Sequence, residues 1–244
     1  IIRNDPSYHY WGVTHEYIEL PDTAVIENIS KEVLFITDVG DGGSKENKFK
    51  RDIELLIKGL EMNPNNPRYL FYLANSYRDS NEYEKAIVEL NIILEKKFEN
   101  ISAWIKKGRI YVELKEYHTA IICYETALIL DNGVSKKFDK KNYEILNLIA
   151  IAHRHNDDHL EAINFCKKSL EIKEDFTPAL SELAFNYREI KAYELSIEQY
   201  TKYLEIDKNN VDALDELGYN LEQLEKWDEA IDCYNKSKQV ENKD

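Results

Sequence analysis

Along most of this chain hydrophobic residues recur every three to four positions, the spacing that places them on one face of a helix. From Phe49 onward, Ile53, Leu56, Ile57 and Leu60 share such a face, and Asn63-Pro64-Asn65-Asn66 stops the helix. Past that point the pattern comes in pairs. In Trp104–Leu130 a first helix carries Trp104, Gly108 and Tyr111 on one face. A second carries Ala120, Tyr124, Ala127 and Leu128 on the facing side, and Leu114-Lys115-Glu116 mark the turn. Small residues stand where two helices must approach closely and aromatics where the gap widens, which predicts a helical hairpin that stacks on copies of itself.

The hairpin recurs. The small residue opening each second helix is Ala86, Ala120, Ala162, Ser196 and Ala230, at steps of 34, 42, 34 and 34 residues. Ala74, Gly108, Ala150, Ala184 and Gly218 repeat the same steps in the first helices. Two independent columns in register argue for an internal repeat. The 42-residue step holds eight extra residues within Asp131–Asn142, expected as a loop or helix extension between the second and third hairpins. Tyr77, Tyr111 and Tyr187 form an aromatic column that the third repeat fills with His153 and the fifth with Leu221. Leu94, Leu128, Leu170 and Leu204 form an apolar column that the fifth repeat replaces with Lys238, which predicts a polar outer face and an end to the array there.

The first 48 residues follow a different pattern. Tyr8–Leu20 is rich in aromatic and β-branched residues, Thr23–Ile26 reads as a further strand, Val33–Val39 as a buried strand, and Gly40-Asp41-Gly42-Gly43-Ser44 as a break. The expected organisation is a β-containing segment over 1–48, a leading helix over 49–66, and five hairpins over 67–244 starting near 67, 101, 143, 177 and 211. The fold class is thus an all-α solenoid with a small N-terminal β-containing segment.

Leu70, Leu73-Ala74, Tyr77, Ala86 and Leu90, and again Leu214, Leu217-Gly218, Ala230 and Tyr234, resemble the tetratricopeptide repeat, from about Pro67 to Asp244. That resemblance implies a solenoid whose first helices line a concave surface for a protein or peptide. A second resemblance covers roughly Ile1–Leu90. Trp11-Gly12-Val13-Thr14-His15-Glu16, the following strand, the Gly-rich break, Lys48–Ile53 and Phe71–Ile87 look like the C-terminal part of family 2 glycosyltransferases that carry these repeats. It implies a parent enzyme of GT-A type using a nucleotide sugar and a divalent cation. In that parent His15 would orient a cation, Glu16 would accept the proton of an attacking hydroxyl, and Trp11 would stack on a sugar. No Asp-x-Asp, P-loop, GxGxxG, GxSxG or HExxH occurs, so the chain as given is not expected to transfer sugar and needs no cofactor of its own. Its opening Ile-Ile-Arg suggests a piece of a longer protein.

Composition narrows the partners. A formal net charge of -14 disfavours nucleic acid and anionic membrane, and no apolar run reaches the roughly 20 residues of a membrane span. Cys123, Cys166 and Cys233 are odd in number without a CxxC, which suits reduced thiols in a cytoplasmic protein. His153, His155 and His159 tempt a metal reading, but their helical register sends the rings to different faces and no metal site is expected. Asp38–Gly43 lacks the oxygen spacing of a calcium loop.

The inward slots of the first helices supply the candidate peptide-binding residues: Phe71, Asn75 and Arg78, then Arg109, then Asn147 and Arg154, then Ser181, Phe185 and Arg188, and lastly Asp215, Tyr219 and Glu222. The arginines suggest bidentate bonds to ligand carboxylates or carbonyls, with Phe185 and Tyr219 offering apolar contact. The alternative is that the arginines pair with Glu113, Glu189 and neighbouring acids. Phe71 stands where chaperone-binding repeats carry lysine, which disfavours a chaperone adaptor.

Overall fold

The computed structural model describes the backbone of residues 9–11, 17–19, 45–134 and 142–241, with side chains over 49–131 and 142–241. It divides into two compact units, Ile1–Phe98 and Glu99–Asp244. In the first, β1 (His9–Trp11) pairs antiparallel with β2 (Tyr17–Glu19), Tyr10 opposite Ile18. These two short strands do not establish the larger β segment expected over 1–48. Thr23–Ile26, Val33–Val39, His15 and Glu16 all lie outside the described residues. Helix α1 (Lys45–Met62) packs on α2 (Pro67–Asp79), and α2 on α3 (Tyr83–Lys96), burying Leu56, Leu70, Leu73, Ala86 and Leu90.

The second unit holds four hairpins: α4 (Ile101–Glu113) with α5 (Tyr117–Val134), α6 (Asn142–His155) with α7 (His159–Ile172), α8 (Thr177–Glu189) with α9 (Tyr193–Ile206), and α10 (Val211–Gln223) with α11 (Trp227–Glu241). Each second helix also packs on the next first helix, α5 on α6, α7 on α8 and α9 on α10. The extra residues of the second step enter first as helix. α5 runs for 18 residues where α7 and α9 have 14, and residues 135–141 lie outside the described set.

Three local devices set the repeat. Asn66, Asn100 and Asn210 cap first helices, their side chains accepting backbone N–H bonds such as Ala103 N at 3.1 Å and Ala213 N at 3.0 Å, donors that would otherwise be orphaned. At the other end of each first helix, Asn81, Lys115, Asp157, Lys191 and Glu225 adopt left-handed backbone with φ between 58° and 62°. The following N–H then reaches back to the helix, as from Glu116 to Tyr111 O at 2.8 Å and from Ala192 to Tyr187 O at 2.9 Å. This is a helix stop that usually recruits glycine. Between the helices, every member of the two small-residue columns is buried. Gly108 is in its column because a Cβ there would stand 2.5 Å from Cε1 of Tyr124. Ser196 fits among alanines by donating its hydroxyl to Ala184 O at 2.8 Å, so no buried donor is left open.

The third hairpin is closed by His153, whose ring stacks on Phe165 with centroids 5.4 Å apart. Imidazole thus fills the slot that tyrosine fills elsewhere. The expected polar end is present only in part. Lys238 is exposed, but so are Trp227 and Ile231, each at 55%. Ile121 and Ile163, which precede Ile231 in its column, are 6% and 7% exposed because the next first helix covers them.

Candidate functional site

In the first unit, Phe71, Asn75 and Arg78 lie half-buried on α2. Arg78 donates through Nε and NH2 to Asp79 at 3.0 and 2.6 Å, and Phe71 meets Tyr72 edge-on at 6.5 Å.

The remaining candidates belong to the second unit, where the arginines part ways. Arg154 on α6 donates Nε to Glu182 on α8 at 2.6 Å. Arg188 on α8 donates to Glu216 on α10 and, through NH2, to Glu189 at 2.8 Å. Both pairs span 28 residues and are partly shielded from solvent, the Glu182 side chain being only 10% exposed. These two arginines therefore cross-link successive first helices, the pairing with neighbouring acids that stood as the alternative. The constant offset was a readable signal, since it pairs each arginine with an acid of the next repeat. At the same offset from Arg78 the sequence carries Lys106 and not an acid. Arg109 is exposed and makes no ion pair among the described residues. Asn147, expected in an open slot, is 5% exposed, and its Oδ1 has no partner.

The pairs extend into a network. Glu182 also accepts from Nδ2 of Asn186 at 2.9 Å, and Oδ1 of Asn186 accepts from Nδ1 of His159 at 2.9 Å. At the next junction Asn220 donates to Glu216 O at 2.6 Å, but its Oδ1 is left without a partner because Tyr193 stands where His159 stood one repeat earlier. The other histidines go elsewhere. His153 Nδ1 lies 3.3 Å from Asp158, and His155 stacks on Tyr117 at 5.4 Å. Burial, reinforced by the Arg154 charge, holds the His155 imidazole below its usual pKa. No group of three His, Cys, Asp or Glu among the described residues is placed to hold a metal. Cys123, Cys166 and Cys233 are buried free thiols, and burial pushes the Cys123 thiol up to about 11.

Two openings lie along the first helices of this unit. One, of about 410 Å³ between α4 and α6, is apolar at Ile105, Leu148 and Phe176 and polar at Arg109, Glu144 and Asn147. The other, of about 400 Å³, is framed by Glu182 and Phe185 of α8, Tyr200 and Tyr203 of α9, and Asp212 and Glu216 of α10. A further recess of about 320 Å³ shares Asp212 and Glu216 with it and adds Arg188, Asp215 and Tyr219. Phe185 carries two guanidinium groups, Arg154 at 5.0 Å and Arg188 at 4.5 Å from its centroid. Arg188 also lies 5.6 Å from the Tyr219 centroid. Asp212, Glu182 and the α9 tyrosines were not singled out in the sequence. They come from outside the slots of a single first helix, so only packing brings them together.

Residues 143–176 match the tetratricopeptide repeat family, over the stretch that forms α6 and α7. The chain carries tetratricopeptide repeats. Residues 46–127, which include the hairpins α2/α3 and most of α4/α5, match the family described as anaphase-promoting complex, cyclosome, subunit 3. Comparison with curated proteins gave no match. Among solved structures the repeat fold is shared with MamA, at 20% identity and a TM-score of 0.62, covering 70% of this chain and 95% of that one. YrrB, described as a TPR protein with an unusual peptide-binding site, is 19% identical with a TM-score of 0.57, covering 77% and 93%. PilF of Pseudomonas aeruginosa is 16% identical with a TM-score of 0.62, covering 78% and 82%. At these identities the likeness is one of fold. The matched stretches, residues 46–127 and 143–176, leave α8 to α11 as well as His15 and Glu16 outside them. No helix among the described residues is long and apolar enough to cross a membrane.

Proposed function

We propose that the chain is a protein-interaction module whose second unit holds an extended peptide segment along α4, α6, α8 and α10. The observation that carries this reading is the placement of two openings of about 410 and 400 Å³ on successive first helices, each combining rings or branched side chains with polar groups. Such mixed clefts suit a peptide, whose side chains fill pockets while its backbone meets polar groups. The peptide-binding description of YrrB, a neighbour in fold, supports the same direction. Arg109 keeps the role expected of it, a cation available to the partner. The test is crosslinking of the full chain, with a photoreactive residue at Ser181 or, as control, at Glu198 on the exposed flank of α9. Capture of partner peptide from Ser181 and not from Glu198 is expected, and the reverse pattern would sink the reading.

A glycosyltransferase context is a separate proposal that rests on the Trp11–Ile87 resemblance alone. In it these repeats would recruit an acceptor for a catalytic domain preceding Ile1, with His15 and Glu16 acting only in that intact parent. A reading frame with no nucleotide-sugar domain upstream would remove it.

A further inference from the structure

The second unit was expected to present arginines to an acidic ligand, yet the charge left over between α8 and α10 has the opposite sign. Glu182 and Glu216 are taken up by Arg154 and Arg188. Asp212 and Asp215 remain, both exposed and neither in an ion pair among the described residues. Asp212 lies on the wall common to the two recesses, so a group entering either one meets its carboxylate.

The rest of the lining is aromatic apart from Ser181, Asn210, Ala213 and the two arginines, Arg154 and Arg188, whose charges Glu182 and Glu216 offset. Tyr200 and Tyr203 border one recess, and Tyr219, 42% exposed, borders the other. Aromatic faces attract cations through their quadrupole, more strongly where solvent is partly excluded. The molecule already uses this surface in that way, since Phe185 is flanked by two guanidinium groups and Tyr219 by one. An ammonium or guanidinium entering here would meet unpaired carboxylates and a ring edge or face together. An incoming carboxylate would have to displace Glu182 or Glu216 from its arginine first. The net charge of -14 adds long-range attraction for a basic partner.

Resting on the peptide-binding reading, we infer that the recesses between α8 and α10 recognise the side chain of an arginine or lysine carried by the partner peptide, with Asp212 and Asp215 as the charge partners and Tyr203 and Tyr219 as the flanking rings. Specificity for basic segments then arises in the last two hairpins, while the α4–α6 opening accepts an apolar neighbour on the same peptide.

The experiment uses the full chain and fluorescein-labelled twelve-residue peptides of one apolar scaffold bearing two Arg, two Lys, two Gln or two Glu, read by fluorescence polarisation at low and physiological salt. The basic peptides are expected to bind at least about tenfold more tightly than the Gln peptide, with an affinity that falls as salt rises. The double substitution Asp212→Asn with Asp215→Asn should remove about tenfold while leaving the thermal melt nearly unchanged, because both side chains are exposed and unpaired. Equal binding of the Gln and basic peptides, or a double variant that binds the basic peptides as well as the original chain, overturns the cation assignment while leaving peptide binding in place. Tighter binding of the Glu peptide overturns it in favour of the arginines. Spermidine bound as tightly as the Arg peptide would overturn the assignment to a peptide side chain. No binding by any of the peptides would take the peptide-binding reading down as well.

Discussion

Gly108→Ala is the substitution that most directly tests how the hairpins are built. The new methyl would lie 2.5, 2.8 and 2.9 Å from Cε1, Cδ1 and Cζ of Tyr124, against an ordinary carbon–carbon contact of about 3.5–4.0 Å, so the ring must retreat by roughly 1 Å. Tyr124 is only 1% exposed and packs within a core that includes Ala120, Ile121 and Ile149, which leaves it little room. Overpacking of this kind costs about 1–3 kcal/mol, and replacing a helical glycine by alanine returns about 1 kcal/mol. With so buried a ring the upper part of the range applies, for a net loss of about 1–2 kcal/mol. Gly218→Ala makes the comparison. Its methyl would lie 2.7 Å from the ring of Tyr234, but that ring is only half-buried in the last hairpin, so it can swing outward against no more than its part-exposed hydroxyl bond to Glu222 at 3.1 Å. There the two terms should nearly cancel. Urea unfolding followed by fluorescence offers a local reporter for each site, Trp104 in α4 and Trp227 in α11. In a Tyr124→Leu background, Gly108→Ala should become neutral or stabilising, the combination that Ala74 and Leu90 provide at the corresponding places of the first hairpin. If Gly218→Ala proves as costly as Gly108→Ala, or if Tyr124→Leu gives no relief, the close-approach argument fails.

Three further outcomes follow from the same structure. Ile163→Lys should cost about 3 kcal/mol or more by placing an ammonium where a next helix covers the column, whereas Ile231→Lys should change stability by no more than about 0.5 kcal/mol; equal shifts in chemical denaturation would contradict the burial difference. Lys191→Gly should stabilise by about 0.5–1 kcal/mol, since φ at 62° is strained for lysine and free for glycine, and a lowered melting temperature would count against a strained stop at that turn. Burial raises the Glu89 carboxyl above its ordinary value of 4.5, so the folded chain binds the proton more tightly and the cost of the charged form is present at neutral pH and absent below 4.5. Glu89→Gln should therefore stabilise at pH 7 and lose that advantage on acidification, as read from melts across pH.

The repeat was legible because it rests on short-range packing. Ala74, Gly108, Ala150, Ala184 and Gly218 announce close helix approach by size alone, and the buried small columns follow from it. The helix stops were less legible, since Lys115, Lys191 and Glu225 give no glycine signal for the left-handed backbone they adopt. In the candidate site, helical phase within one helix does not give the charge state; the signal lay in the constant offset between repeats. Arg154 and Arg188 look available within their own helices, and only the placement of the next hairpin brings Glu182 and Glu216 against them. Asn147 is covered to 5% exposure by neighbouring elements although it borders the α4–α6 opening, a burial that helical phase alone does not give. Trp227 and Ile231 show the converse case, apolar residues whose burial depends on a following helix that the described residues do not supply.

The fit between Gly108 and Tyr124 also bears on which pieces of the chain can be recombined. In the fourth hairpin Ala184 and Tyr200 coexist in one core cluster, so alanine beside tyrosine can be built when its two helices are seated together for it. In the second hairpin the ring sits too near for that methyl. A chimera that moves α8 opposite α5 would join surfaces set for different separations, whereas moving α8 with α9 keeps the matched pair intact. The smallest interchangeable part of this protein is accordingly the hairpin rather than the helix, and libraries shuffled at the 34-residue period should retain folded members that libraries cut within a hairpin lose.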